Sequence, residues 1–157
     1  MSLTLSGSAF GHDEPIPLRY SGDGEDISPP LSWSGVPEGT AELALICDDP
    51  DAPTPQPWVH WVIYGMSPTL TGLPEGVPKQ RELTKPIAAM QGVNSWPKIG
   101  YGGPAPPHGH GVHHYHFTLY CLSQPLGLKP GADKPELLAA MKGLILAQTR
   151  LTGTYER

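Results

Sequence analysis

Proline and glycine punctuate this chain. The 20 prolines and 19 glycines, about a quarter of its 157 residues, lie between short alternating apolar runs and do not gather in one tract. Proline fixes φ and removes a backbone donor, and glycine supplies the conformations that tight turns need. The pattern therefore reads as turn chemistry in a loop-rich β fold. The same fraction touches the range in which disorder competes. Composition decides against disorder, because 38% of the residues are hydrophobic and only 16% are charged. A chain of this length buries roughly two thirds of its unfolded surface on folding, and no repeat or linker divides it. One domain over residues 1–157 is expected.

Two-residue alternation marks the strands. Leu3 and Leu5, then Ile16, Leu18 and Tyr20, suggest hairpin material in the first third, and residues 28–37, with Pro29, Pro30, Pro37 and Gly35, suit an irregular edge segment around Leu31 and Trp33. Residues 40–47 (TAELALIC) read as a well buried strand that runs into Asp48, Asp49 and Asp51. Residues 58–66 (WVHWVIYGM) read as a central strand, and residues 113–122 (HHYHFTLYCL) as another. Residues 67–98 carry turn signals without a sustained period, so they form a long excursion with short elements. Near the end the period changes. Asp133 and Glu136 form a capping box, and Leu137, Met141, Leu144, Ile145 and Leu151 at helical spacing predict one amphipathic helix that lasts until Gly153.

The formal net charge of -5 and the lack of a basic patch exclude a binder of nucleic acid backbones. No stretch approaches the roughly 20 apolar residues of an integral membrane segment, and the first residues lack a secretory pattern. A cytoplasmic location is expected. Cys47 and Cys121 each fall inside an apolar run and lack the close spacing of a redox or metal pair, so buried free thiols are expected.

Chemistry concentrates in two segments, residues 49–60 and 100–116. In Asp49-Pro50-Asp51 the proline holds an extended backbone, which points both carboxylates one way. Such a pair needs a histidine, an ammonium group or a metal nearby. Trp58 and His60 follow on one face of their strand, within reach of that loop. Five of the seven histidines lie between His108 and His116. Alternation puts His113 and Tyr115 on one face of the strand and His114 and His116 on the other. Because the histidines are split in this way and no H-E-x-x-H occurs, neither a metal nor any other cofactor is expected. The proline- and glycine-rich loop before them can present backbone N–H groups as an anion nest. The two segments imply a mixed pocket: histidines and N–H groups for a phosphate or carboxylate, and carboxylates with aromatic faces for an ammonium group.

CDDPDAP at 47–53, WVHW at 58–61 and GGPAPPHGHGVHHYHFTLY at 102–120 closely resemble the signature segments of the phosphatidylethanolamine-binding proteins, also called Raf kinase inhibitor-like proteins. SPPLSW at 28–33 and GTYER at 153–157 extend the resemblance over nearly the whole chain and point to the short bacterial and archaeal branch. The resemblance implies a mainly β fold, a Greek-key β-sandwich of two antiparallel sheets with a C-terminal helix, and a small pocket for phosphoryl or other anionic groups. Carried over by position, the pocket residues are Asp49, Asp51, Trp58, His60, Pro107, Gly109, His113 and Tyr115. It also implies cis peptide bonds at Ala52-Pro53 and Gln56-Pro57, which proline makes affordable. Where the family usually has arginine after the pocket histidine, this chain has His114. The family's kinase-regulatory role does not carry over, since the extra sequence of the eukaryotic members is lacking.

The expected function is a non-catalytic regulatory module that binds a small anionic or phosphorylated ligand, with no evident nucleophile in the pocket motifs. Two alternatives stand beside it: an Asp/His-dependent enzyme acting on a small phosphorylated or acyl substrate, and a module whose partner is a kinase or protease. The bacterial relatives make a homodimer a further partner to consider. A protonated His60 or His113 holding the anion would make affinity fall as pH rises through the histidine range.

Overall fold

Alternation of side chains across one long strand sets the layers of the molecule, seen in a computed structural model that describes residues 2–157. Strand β4, Glu42–Asp49, sends Leu43, Leu45 and Cys47 into one apolar cluster and Ala44 and Ile46 into another. A strand covered on both faces reads as a continuous apolar run, which is why TAELALIC shows so little polar punctuation.

The larger cluster fills the space between two sheets. A three-stranded sheet holds β3 (Leu31–Ser34) between β1 (Thr4–Gly7) and β6 (Gly72–Leu73). A seven-stranded sheet runs in the order β2 (Glu14–Pro15), β10 (Ile145–Tyr155), β9 (His113–Leu122), β4, β5 (Trp58–Met66), β8 (Ala89–Gln91) and β7 (Glu82–Leu83). All pairings are antiparallel except the short contact of β2 with β10. Leu5, Leu31, Trp33 and Leu73 meet Leu45, Trp61, Ile63, Phe117 and Leu119 between the sheets. On the outer face of the large sheet, helix α1 (Lys134–Met141) buries Leu137 and Met141 against Ile46, Val62 and Tyr64. The molecule is thus mainly β, with two sheets and one helix near the C-terminus.

Several expectations from sequence need correction. The predicted helix to Gly153 stops at Met141. The capping box is present, with Glu136 N–H donating to Asp133 at 2.9 Å and Asp133 N–H to Glu136 at 3.3 Å, but Gly143 takes a φ of 80°, which turns the chain out of the helix. Leu144, Ile145 and Leu151 therefore lie beyond it, the latter two on β10, a strand rich in threonine that pairs along the length of β9. Ile145 is exposed, so its helical spacing with Met141 is coincidental. Residues 16–20 do not form a strand: Pro17 leads into a 3-10 turn, Leu18–Tyr20, that buries Tyr20 and exposes Leu18. The 28–37 segment supplies the middle strand of the small sheet, not an edge. Ala52-Pro53 and Gln56-Pro57 are trans, and the cis bond among the described residues is Lys85-Pro86. Thr54 N–H donates to the Ala52 carbonyl at 2.8 Å, a tight turn about Pro53 that suits its fixed φ without a cis bond.

The seam between sheet and helix tolerates little. A Cβ on Gly92 would lie 1.8 Å from the Ala132 carbonyl oxygen, which accepts from Val93 N–H at 3.0 Å. Urea unfolding should show Gly92→Ala destabilised by about 2–3 kcal/mol, the upper part of the usual range for forced overpacking, because the clash is with backbone. Asp133→Ala, which removes only the cap, should cost about 1 kcal/mol. The reverse ranking would contradict this account of the seam.

Candidate functional site

The C-terminal end of β4 meets the first residues of β5 and β9 at one end of the large sheet, with Asp49 opposite Trp58 and Asp48 opposite His116. Period-two geometry sorts the acidic run there. Asp48 points to the helix side and pairs with Lys134 at 2.6 Å, while Asp49 turns inward and is buried. The same rule sorts the histidines. His113 and Tyr115 are buried, whereas His114 is exposed and His116 half-buried.

An irregularity in β5 sets His60. Cys47 lies opposite Trp61 and Asp48 opposite Val59, so one step along β4 spans two along β5. His60 is the extra residue of a β-bulge, which re-aims side chains at sites of this kind. It lets His60 and Trp61 both reach the inner side, where Trp61 stacks on Tyr101 and His60 bonds the neighbouring Gly102.

Asp49 Oδ2 lies 2.6 Å from His113 Nδ1, with both side chains under 5% exposed. The other Asp49 oxygen accepts the Asp51 N–H at 2.8 Å. His113 Nε2 lies 2.6 Å from His110 Nδ1, so a carboxylate and two imidazoles form one hydrogen-bonded chain from the interior to the surface. His60 Nδ1 lies 2.7 Å from the Gly102 carbonyl oxygen. A carbonyl can only accept, so that nitrogen carries a proton and Nε2 is an acceptor in the neutral ring. Burial pushes the His60 pKa below the ordinary 6.5, against smaller upward pulls from Gly102 and Asp49. His60 is therefore a neutral acceptor, which removes it as the cation that the sequence reading offered for an anion. Burial, with Asp49 next, pushes the Tyr115 phenol up, so it stays an O–H donor.

A cavity of about 220 Å³ opens over this group. His60 and Tyr115 rings meet edge to face at 5.0 Å, and Trp96 stacks edgewise on Trp58 at 5.5 Å and on His60 at 5.0 Å. Among the described residues Tyr115 Oη and His60 Nε2 have no hydrogen-bond partner, yet no fully buried side-chain polar atom there lacks one. Both atoms therefore open on the cavity that their residues line.

Six of the eight residues carried over from the resemblance line this cavity: Asp49, Trp58, His60, Pro107, His113 and Tyr115. Asp51 does not. Its carboxylate turns to the solvent side, where it accepts from His114 N–H at 2.7 Å and lies 2.8 Å from His114 Nδ1. Partial burial would raise its pKa, but these bonds outweigh that and hold it below the usual value. The two carboxylates of Asp49-Pro50-Asp51 thus part company, each taking its own histidine. Gly109 also stays outside, with its N–H on the Arg157 carbonyl at 3.3 Å. Trp96, Ala105 and Pro106 line the cavity and were not singled out from sequence. Trp96 is an isolated aromatic in a segment without periodicity, and its one signal is Asn94 two residues earlier, a turn residue whose Oδ1 accepts the Trp96 N–H at 3.0 Å.

Comparison with known proteins agrees with this architecture. The chain matches the phosphatidylethanolamine-binding protein family over residues 6–156 and belongs to it. A UPF0098 protein of Methanothermobacter thermautotrophicus is 50% identical over 99% of each chain. The crystal structure of a phosphatidylethanolamine-binding protein homologue from Chlamydia trachomatis superposes with a TM-score of 0.89 at 41% identity, covering 99% of this chain and 98% of that one. YbcL of Escherichia coli gives a TM-score of 0.91 at 30% identity, covering 100% and 99%. No helix among the described residues is long and apolar enough to cross a membrane.

The low proton affinity of His60 has a consequence for stability. Below about pH 6.5 the unfolded chain protonates this histidine while the folded one resists, so stability falls as pH falls through that range. His116, also lowered by burial, acts in the same direction. His60→Asn keeps a donor for the Gly102 carbonyl but cannot titrate. Thermal melts between about pH 7.5 and 5 should show the wild type losing stability on acidification more steeply than this variant. Equal slopes would contradict the neutral assignment.

Proposed function

We propose that the protein is a non-catalytic module that binds a small phosphorylated amine of the phosphoethanolamine kind in the cavity over Asp49, His60, His113 and Tyr115. The observation that carries this reading is the pairing of opposite polar roles in one small space. Tyr115 Oη is an unengaged donor, suited to a phosphoryl oxygen, and His60 Nε2 is an unengaged acceptor, suited to an ammonium N–H or a protonated phosphoryl oxygen. The His113 ring, held at Nδ1 by the buried Asp49 carboxylate, turns its Nε2 toward the same space. In this reading a phosphoryl oxygen replaces exposed His110 on His113 Nε2, and the ammonium end lies against Trp58 and Trp96. The family's name, which cites a lipid with this headgroup, supports the same ligand class.

Binding without turnover is favoured because neither the thiol nor the threonine hydroxyl nearest the cavity among the described residues stands ready as a nucleophile. Cys47 is buried with its thiol pKa pushed up by burial, and the Thr54 hydroxyl donates to the Gln56 carbonyl at 2.5 Å. Cys47 and Cys121 as free thiols suit work in the reducing cytoplasm.

NMR titration with phosphoethanolamine tests the proposal. Saturable shifts should appear at the His60 and His113 rings, and 31P spectra should return the ligand intact. Tyr115→Phe should weaken binding about tenfold, the worth of one hydrogen bond to a charged group, and His113→Ala should abolish it. Absence of saturable shifts with both phosphoethanolamine and inorganic phosphate would sink the reading, and phosphate release dependent on His113 would favour the enzyme alternative instead.

A further inference from the structure

A second cavity, of about 360 Å³, lies beside the first, and the two share Trp96 and Ala105 as walls. Its chemistry differs. Lys79, Lys98 and Asp26 line it, so two ammonium groups face one carboxylate. Asp26 is already engaged: Lys79 Nζ donates to its backbone carbonyl at 2.8 Å and lies 3.5 Å from Oδ2, while Gly103 N–H donates to Oδ1 at 2.6 Å. Lys79 and Asp26 thus answer each other, and the Lys98 ammonium has no carboxylate within salt-bridge distance among the described residues, in a protein whose net charge is -5.

The position of Lys98 is built, not incidental. Buried Asn94 accepts from both Trp96 N–H at 3.0 Å and Lys98 N–H at 3.1 Å, and donates to the Gly100 carbonyl at 3.0 Å. One side chain therefore fixes the bend that sets the dividing indole and the free cation two residues apart. The indole is held from the other side by Trp58 and His60, leaving 36% of the residue exposed as a flat ridge between the cavities.

We propose that the second cavity is a subsite for a second anionic group of the same ligand, so that the preferred ligand is a phosphorylated amine with a further anion: a phosphoryl in the first cavity, a short amine-bearing body crossing Trp96, and a carboxylate or further phosphoryl at Lys98. The inference rests on the phosphoryl reading of the first cavity. It adds a specificity determinant, since a ligand ending at the phosphoryl or at a neutral alkyl tail leaves Lys98 to water.

Calorimetric titration with two series tests it: alkylphosphonates and ω-phosphonocarboxylates of matched chain length, at constant ionic strength. One chain length of the carboxylate series should bind about fivefold tighter than its alkyl counterpart, the size of a partly screened ion pair. Lys98→Gln, a surface change, should erase that gain and leave alkylphosphonate affinity unchanged, and Lys98→Arg should keep it. Equal affinities of the two series at every length, or a gain that survives Lys98→Gln, would overturn the subsite while leaving the first cavity's reading intact. Failure of the phosphonates of both series and of phosphoethanolamine to bind would overturn both.

Discussion

The contact between Asp49 and His113 holds the site together. The two residues stand at the ends of β4 and β9, neighbouring strands at the centre of the large sheet, and both are almost wholly withdrawn from water. An ionised carboxylate in such a place is tolerable only when paired and hydrogen-bonded, and removing one partner costs far more than the pair contributes net. Asp49 is satisfied twice, by His113 and by the Asp51 N–H. The second bond turns the chain into the loop that carries Ala52, Pro53 and Thr54 along one wall of the cavity. On the β9 side, His113 hands its other nitrogen to His110 and is followed two residues later by Tyr115, which alternation places on the same face. One buried pair thus fixes the floor of the cavity and the departure points of both loops above it.

The far wall is fastened from the C-terminus. Arg157 forks onto Asp23 with contacts of 2.6 to 3.1 Å, reaches the Pro106 carbonyl at 3.4 Å, and accepts Gly109 N–H on its own carbonyl. Gly22 N–H donates to the Pro104 carbonyl, and Tyr101 Oη to the Tyr20 carbonyl. Residues 20–26, 101–109 and 157 therefore act as one unit over the sandwich end, which keeps a proline-rich loop in a single arrangement. A rigid rim lowers the ordering cost that binding must overcome.

The sequence made legible what alternation controls. Strands β5 and β9 begin and end where their patterns do, and β4 lies two residues beyond its own. The inward set of His113 and Tyr115 and the outward His114 follow from the same period. What failed were features decided by a single residue or by distant contacts. Met141, Leu144 and Ile145 keep helical spacing, but the conformation of Gly143 ends the helix before that spacing matters. Asp51 shares a face with Asp49 only in an unbroken extended chain, and the turn at Pro50 separates them. Trp96 enters the site through Asn94 and through stacking on residues more than thirty positions away, which leaves no periodic trace.

His114 shows how a departure from the family pattern is absorbed. The imidazole reaches the Asp51 carboxylate through Nδ1 while the His114 backbone N–H adds a second bond. Neither bond requires a charged ring, since neutral Nδ1–H also donates. Asp51 is thus pinned by donors whether or not His114 is protonated, and the loop it carries stays closed over Asp49. The exposed pair serves to hold the buried one, which is why two adjacent histidines with opposite orientations both act on the same acidic turn.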